Sequence, residues 1–89
     1  MKTIRLIIKG KVQGVFFRAT AKDIADDLGI RGSVRNLPDR NVEIRATATE
    51  ELLQKFIAWC NQGPPKAKVE EVIVEALDLQ EFNDFRIIR

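Results

Sequence analysis

The spacing of apolar residues along this chain changes twice from every second residue to every third or fourth, and back again. Alternation is typical of a strand with one buried face, whereas spacings of three and four are typical of a helix that packs one side on a core. The pattern predicts the order strand, helix, strand, strand, helix, strand, with a short strand added at the end. That order restricts the fold more than any other feature of the sequence.

The first half of the chain predicts a strand, a helix and a second strand. Apolar and polar residues alternate from Lys2 to Lys9, and apolar residues recur at helical spacing from Phe17 to Leu28. Gly29 is the expected C-terminal cap of this helix, because glycine adopts the left-handed conformation that ends many helices. The second strand is predicted from Ile30 to Leu37.

A hairpin is predicted next. Pro38 to Asn41 is a turn in which proline sets the first corner, and Asn41 is expected to take the positive φ. Alternation from Val42 to Ala48 predicts a third strand. Because the connection is so short, the second and third strands should pair with each other.

A second helix and two further strands complete the pattern. Either Thr47 or Thr49 can cap the helix, and Thr47 lies three residues before a glutamate, which is the spacing of a capping box. The helix should end at Gly63-Pro64-Pro65, because proline cannot continue a helix. The remaining strands are predicted over Val69–Leu77 and Phe85–Ile88.

This order predicts an α+β, ferredoxin-like βαββαβ sandwich, in which an antiparallel sheet carries both helices on one face and gains a short C-terminal strand. The chain of 89 residues has no linker or repeat, so residues 1–89 are predicted to form a single domain. A net charge of +2 favours neither a nucleic-acid nor a membrane partner. No secretory segment is recognisable, so we expect a cytoplasmic protein, by default a monomer.

The residue types that are missing restrict the chemistry. The chain has no His and no Tyr, and its one Cys excludes both an internal disulfide and a cysteine-based zinc site. Histidine bases and Ser-His or Cys-His nucleophile pairs are therefore excluded. Any catalysis must depend on arginine, lysine, amide, hydroxyl or carboxylate side chains and on backbone amides.

A glycine-containing loop between the first strand and the first helix is the strongest candidate for a functional site. The segment runs Gly10-Lys11-Val12-Gln13-Gly14-Val15-Phe16-Phe17-Arg18. A curled loop that leads into a helix N-terminus directs several N–H groups at one point, which suits an anion. Arg18 adds a planar fork of donors that matches phosphate oxygens, so the loop predicts a phosphate-binding site.

The same segment resembles the signature of the acylphosphatase family, with every fixed position filled. Further segments that resemble the family are Gly32-Ser33-Val34-Arg35-Asn36, Asp39, Val42-Glu43, Trp59, Gly63-Pro64 and Phe85-Arg86-Ile87. The resemblance covers essentially the whole chain. One departure is Arg40, which stands where the family commonly has glycine after the hairpin aspartate.

The resemblance implies an enzyme that hydrolyses small acyl phosphates with no metal and no cofactor, and that inorganic phosphate inhibits competitively as the product. In such an enzyme Arg18 would bind the phosphoryl group and Asn36 would position the attacking water. Backbone amides of the loop would share the binding of the phosphoryl group; these belong to Lys11, Val12, Gln13, Gly14, Val15, Phe16 and Phe17.

Each of these assignments has a simpler structural alternative. The loop could be a tight strand-to-helix connection that binds nothing, and Arg18 could form an ion pair with Asp23 or Asp26. Asn36 could be a residue that merely precedes a turn. At the level of function, the alternative is a ferredoxin-like module that binds a phosphorylated ligand without turnover, because a fold does not determine a function.

Overall fold

The computed structural model describes residues 1–89, which form two helices and five strands in the predicted order. The elements are β1 (Lys2–Lys11), α1 (Phe17–Leu28), β2 (Arg31–Asn36), β3 (Val42–Ala48), α2 (Glu50–Gln62), β4 (Lys68–Leu77) and β5 (Phe85–Ile88). Strand β1 is two residues longer than the alternation alone predicts, so Gly10 and Lys11 belong to the sheet. The connection to α1 is therefore short, covering residues 12–16.

The sheet has the strand order β4-β1-β3-β2-β5. The pairs β1–β3, β1–β4 and β2–β3 are antiparallel, which confirms the predicted ferredoxin-like α+β fold. The added strand β5 lies parallel to β2, so the complete sheet is mixed.

The parallel pairing of β5 follows from the path of the chain, because residues 78–84 pass from one edge of the sheet to the other. Gln80 holds this crossing: its backbone N–H donates to Thr3 Oγ1 at 2.8 Å, and its carbonyl accepts from Thr47 Oγ1 at 2.8 Å. Thr47 is therefore part of β3 and does not cap α2. The capping-box prediction is wrong, and the cap is Thr49, whose hydroxyl accepts from the Leu52 N–H at 3.4 Å.

Both helices cover the same face of the sheet, where they contact each other as well as the strands. Alternate strand residues point into the layer between helices and sheet; Leu6, Ile8, Val34, Val42 and Ile44 are fully buried there. Phe56 of α2 meets Phe85 of β5 edge to face, with ring centroids 6.0 Å apart. Helix α1 lies over β2 and β5, and α2 lies over β4, β3 and β1.

The turn between β2 and β3 differs from the sequence expectation in one residue. Arg40, not Asn41, takes the positive φ, at 74°. Asn41 instead forms the first backbone hydrogen bond of the hairpin, in which its carbonyl accepts from the Leu37 N–H at 2.9 Å. Its own backbone N–H donates to Asp39 Oδ1 at 3.1 Å, so the left-handed position falls one residue earlier.

Candidate active site

The loop from Val12 to Phe16 is anchored in the core by two of its residues. Val12 and Val15 are buried in the core, whereas Gly14 and Phe16 are exposed and have φ values of 73° and 65°. The two positive φ values turn the chain sharply, which brings the end of β1 to the start of α1 within a few residues. Gly14 meets this need without strain, because it has no Cβ.

The backbone donors of this loop are not used within the chain. None of the N–H groups from Val12 to Phe16 donates one of the turn, loop and cap hydrogen bonds. The first bond of α1 runs from the Thr20 N–H to the Phe16 carbonyl at 3.0 Å, and no side chain caps the helix. The first N–H groups of a helix carry the positive end of its dipole, so this corner is suited to an anion.

Arg18 lies in the first turn of α1, is half-buried and forms no ion pair with any carboxylate of the chain. Asp26 is instead paired with Lys22 at 2.8 Å, one helical turn away along α1. The ion-pair alternative for Arg18 is therefore wrong. Its guanidinium is left free to bind an external anion, for which its planar fork of donors is well suited.

Asn36 is the last residue of β2 and carries an unusual polar atom. Its Oδ1 is buried and has no hydrogen-bond partner, and it is the only buried side-chain nitrogen or oxygen in the chain of which this is true. A buried acceptor without a partner costs about 1–3 kcal/mol. A buried acceptor without a partner requires an explanation, and one explanation is a site that binds a water molecule or a polar substrate group.

A cavity of about 450 Å³ brings the main predicted residues together. Those that line it are Val12, Gly14, Phe16, Phe17, Arg18 and Asn36. They come from the loop, the first turn of α1 and the end of β2, which are remote in sequence but adjacent in this topology. The structure thus places the free arginine and the residue that carries the unpartnered amide oxygen at the same cavity.

Three predicted loop residues do not line this cavity with the others. Val15 is buried, whereas Lys11 and Gln13 line a separate hollow beside the β2–β3 turn. Gln13 has a positional function there, because its Nε2 donates to the carbonyls of Leu37 and Asn41 at 2.9 Å each. This side chain ties the loop to the hairpin that carries Asn36.

Sequence reasoning missed three residues of the cavity wall, Ala19, Ile87 and Arg89. Ala19 could have been found, since it follows Arg18 in the first helical turn. Ile87 and Arg89 could not, because they reach the cavity only through the parallel pairing of β5 with β2.

Other reactive groups lie outside the site. Cys60 is buried in the core, and burial raises the pKa of its thiol far above the ordinary value. No three carboxylate or thiol side chains converge in a way that could hold a metal ion. Neither helix is long and apolar enough to cross a bilayer.

The acylphosphatase family model matches residues 4–87. The chain belongs to the acylphosphatase family. An acylphosphatase of Pyrobaculum islandicum is 49% identical over 92 residues, covering 99% of this chain and 97% of the relative. The acylphosphatase of Methylococcus capsulatus is 41% identical over 90 residues, covering 100% of this chain and 98% of the relative. The crystal structure of the Bacillus subtilis acylphosphatase superposes with a TM-score of 0.96 at 36% identity, covering 100% of both chains. The acylphosphatase resemblance of the sequence is thus confirmed over the whole fold.

Proposed function

We propose that this chain hydrolyses the carboxyl–phosphate bond of small acyl phosphates and releases a carboxylate and inorganic phosphate. The observation that carries the proposal is the convergence at one cavity of a half-buried arginine without an ion pair and an asparagine whose buried amide oxygen has no partner. Membership of the acylphosphatase family supports the same reaction.

In this proposal Arg18 and the loop amides bind the phosphoryl oxygens. The transition state of phosphoryl transfer is loose and spreads negative charge over the equatorial oxygens. Donors that are already in place before the reaction stabilise that charge without reorganisation. The free N–H groups from Val12 to Phe16 and the N-terminal end of α1 supply such donors next to the guanidinium.

Asn36 is proposed to position the attacking water. Its Oδ1 would accept a hydrogen bond from the water, which aims the water oxygen at phosphorus. As the new P–O bond forms, the bond from phosphorus to the acyl oxygen breaks and the carboxylate departs with the electron pair. The proton of the water passes to a phosphoryl oxygen of the substrate, so no histidine base is required. A carboxylate leaves without protonation, so no general acid is required either.

The first test is hydrolysis of benzoyl phosphate by the purified protein in the presence of a chelator. We expect turnover that survives chelation, that inorganic phosphate inhibits competitively, and that falls at least 10²–10³-fold, roughly the loss seen for one preorganised donor, in Arg18→Ala. Arg31→Ala is the matched control, because Arg31 forms no ion pair either, but it is exposed and lies at the other end of β2 from Asn36.

The outcome that would contradict the proposal is a folded protein that binds phosphate yet does not exceed the spontaneous rate of hydrolysis. That result would favour the phosphate-binding module instead. A monomeric state and a cytoplasmic location stay predictions, which sedimentation and cell fractionation would test.

A further inference from the structure

Phe16 is an exposed aromatic residue held in an unfavourable backbone conformation at the edge of the cavity. Its φ and ψ are 65° and 23°, in the left-handed region, and it is 75% exposed to solvent. Residues with a Cβ rarely adopt this conformation, and a large apolar side chain gains nothing from being in water. Strain of this kind is concentrated at functional sites, where the position of a side chain matters more than its cost.

The cavity is larger than a phosphoryl group needs. Its volume of about 450 Å³ lies in the range, about 300–1,000 Å³, of pockets that enclose an entire small ligand. The charged and amide groups of Arg18 and Asn36 occupy only part of the wall. Most of the remaining wall is apolar, so the cavity has room and suitable chemistry for the acyl part of a substrate as well.

Phe16 is the apolar wall residue best placed to contact that acyl part. Val12 and Phe17 are each only 1% exposed and serve mainly as the floor, since their side chains are used in the core. Ala19 is too small to offer much area, and Ile87 is half-buried against the hydrophobic core. The ring of Phe16 is therefore the one large apolar surface at the cavity that the fold itself does not cover.

We propose that Phe16 determines acyl-group specificity and that the cavity prefers acyl phosphates with an aromatic or other bulky apolar acyl group. This inference rests on the proposed function, since it names the substrate class of the same site. With the phosphoryl group held by Arg18, the acyl substituent lies against the ring of Phe16. Arg89, which also lines the cavity, would act against this preference, because its positive charge would favour an anionic acyl group.

The test compares two stable analogues of equal charge, benzoylphosphonate and acetylphosphonate, by isothermal titration. In each analogue a direct C–P bond replaces the C–O–P linkage of the acyl phosphate, so binding is measured without turnover. We expect the unmodified protein to bind benzoylphosphonate more tightly. The preference is measured as the dissociation constant of acetylphosphonate divided by that of benzoylphosphonate. In Phe16→Gly this ratio should fall by about 2- to 12-fold, the range typical of one aromatic contact. Glycine adopts positive φ readily, so this variant keeps the loop conformation.

The matched control is Leu79→Ala, which removes an exposed apolar side chain from a separate hollow and should leave the ratio unchanged. An unchanged ratio in Phe16→Gly, or equal weakening of both analogues, would overturn the proposal and leave Phe16 with a structural role in the loop. Hydrolysis of benzoyl and acetyl phosphate is measured in parallel. An active protein that shows no preference for the benzoyl group, or whose preference survives in Phe16→Gly, counts against this inference alone, whereas a preference that depends on Phe16 in a protein without turnover counts against the proposed function alone.

Discussion

Replacing Asn36 with alanine should lower activity and raise stability at the same time. The variant removes the unpartnered Oδ1, which relieves about 1–3 kcal/mol of unfavourable burial. The packing lost with a half-buried side chain offsets part of this gain, at about 1 kcal/mol or less. We therefore expect the free energy of unfolding to rise by about 1 kcal/mol, which for a domain of this size raises Tm by about 4–8 °C.

The same substitution removes the group proposed to position the water. Loss of one preorganised polar group of this kind lowers kcat by roughly 10²–10³-fold. The affinity for inorganic phosphate should change little, because Arg18 and the loop amides remain. The measurements are urea unfolding, phosphate titration and the rate of benzoyl phosphate hydrolysis, each made on the same preparation.

Asn83→Ala is the matched control, since this exposed asparagine lies in the crossing between β4 and β5. Its stability should change by no more than about 0.5 kcal/mol and its activity should not change. The reasoning is refuted if Asn36→Ala is destabilised by more than about 1 kcal/mol, since the side chain would then be a structural element. A kcat within about three-fold of the parent would refute the proposed role in positioning water.

Two further substitutions test the stability of the β2–β3 hairpin, which carries Asn36. Glu43 is only 4% exposed, and its carboxylate accepts hydrogen bonds from Arg5 and Arg35 at 2.7 and 2.8 Å. Burial alone would raise the pKa of Glu43, but the two arginines outweigh burial and leave this pKa below its ordinary value of 4.5. Glu43→Gln should therefore cost about 2 kcal/mol of unfolding free energy at neutral pH, and the deficit relative to the parent should shrink as the pH of the urea titration falls below about 4.5; a deficit independent of pH would contradict this. Arg40→Gly should raise Tm by about 2–4 °C, because glycine relieves the positive φ of 74°, whereas Lys66→Gly, which has no positive φ to relieve, should lower it. A lower Tm for Arg40→Gly would show that the turn is not strained.

The sequence predicted those parts of the fold that depend on local pattern. Every helix and strand was found because the periodicity of apolar residues is set by the face that each element buries. The direction of β5 was not predictable in that way. It depends on the crossing held by Thr3, Thr47 and Gln80, three residues that have no local signature and meet only in the folded chain.

The residues of the candidate site also differ in whether local sequence could predict them. The loop and Arg18 are contiguous, so their chemistry could be interpreted from the sequence alone, whereas Asn36 alone would have been assigned to a turn. Its importance is indicated by its unpartnered Oδ1 and by its place in the wall of the same cavity as Arg18, both of which only the tertiary structure shows. The hydrogen bonds from Gln13 to the hairpin were missed for the same reason, since its partners are backbone carbonyls more than twenty residues away.

The unfavourable features of this chain are concentrated where the reaction is proposed. The only buried side-chain nitrogen or oxygen without a partner is Asn36 Oδ1, and one of the two residues other than glycine with positive φ is Phe16; both residues line the same cavity. Apart from Arg40 in the β2–β3 turn, local preference, burial and hydrogen bonding agree elsewhere in the chain, as they do in a sequence that specifies one structure. If these two features were accidents of packing, removing either would improve stability at no cost to function. Because they lie together beside a free arginine, we expect the gain in stability to come with a loss of turnover at Asn36 and of acyl selectivity at Phe16. Measuring both stability and function in Asn36→Ala and Phe16→Gly therefore decides whether these two unfavourable features are required for function.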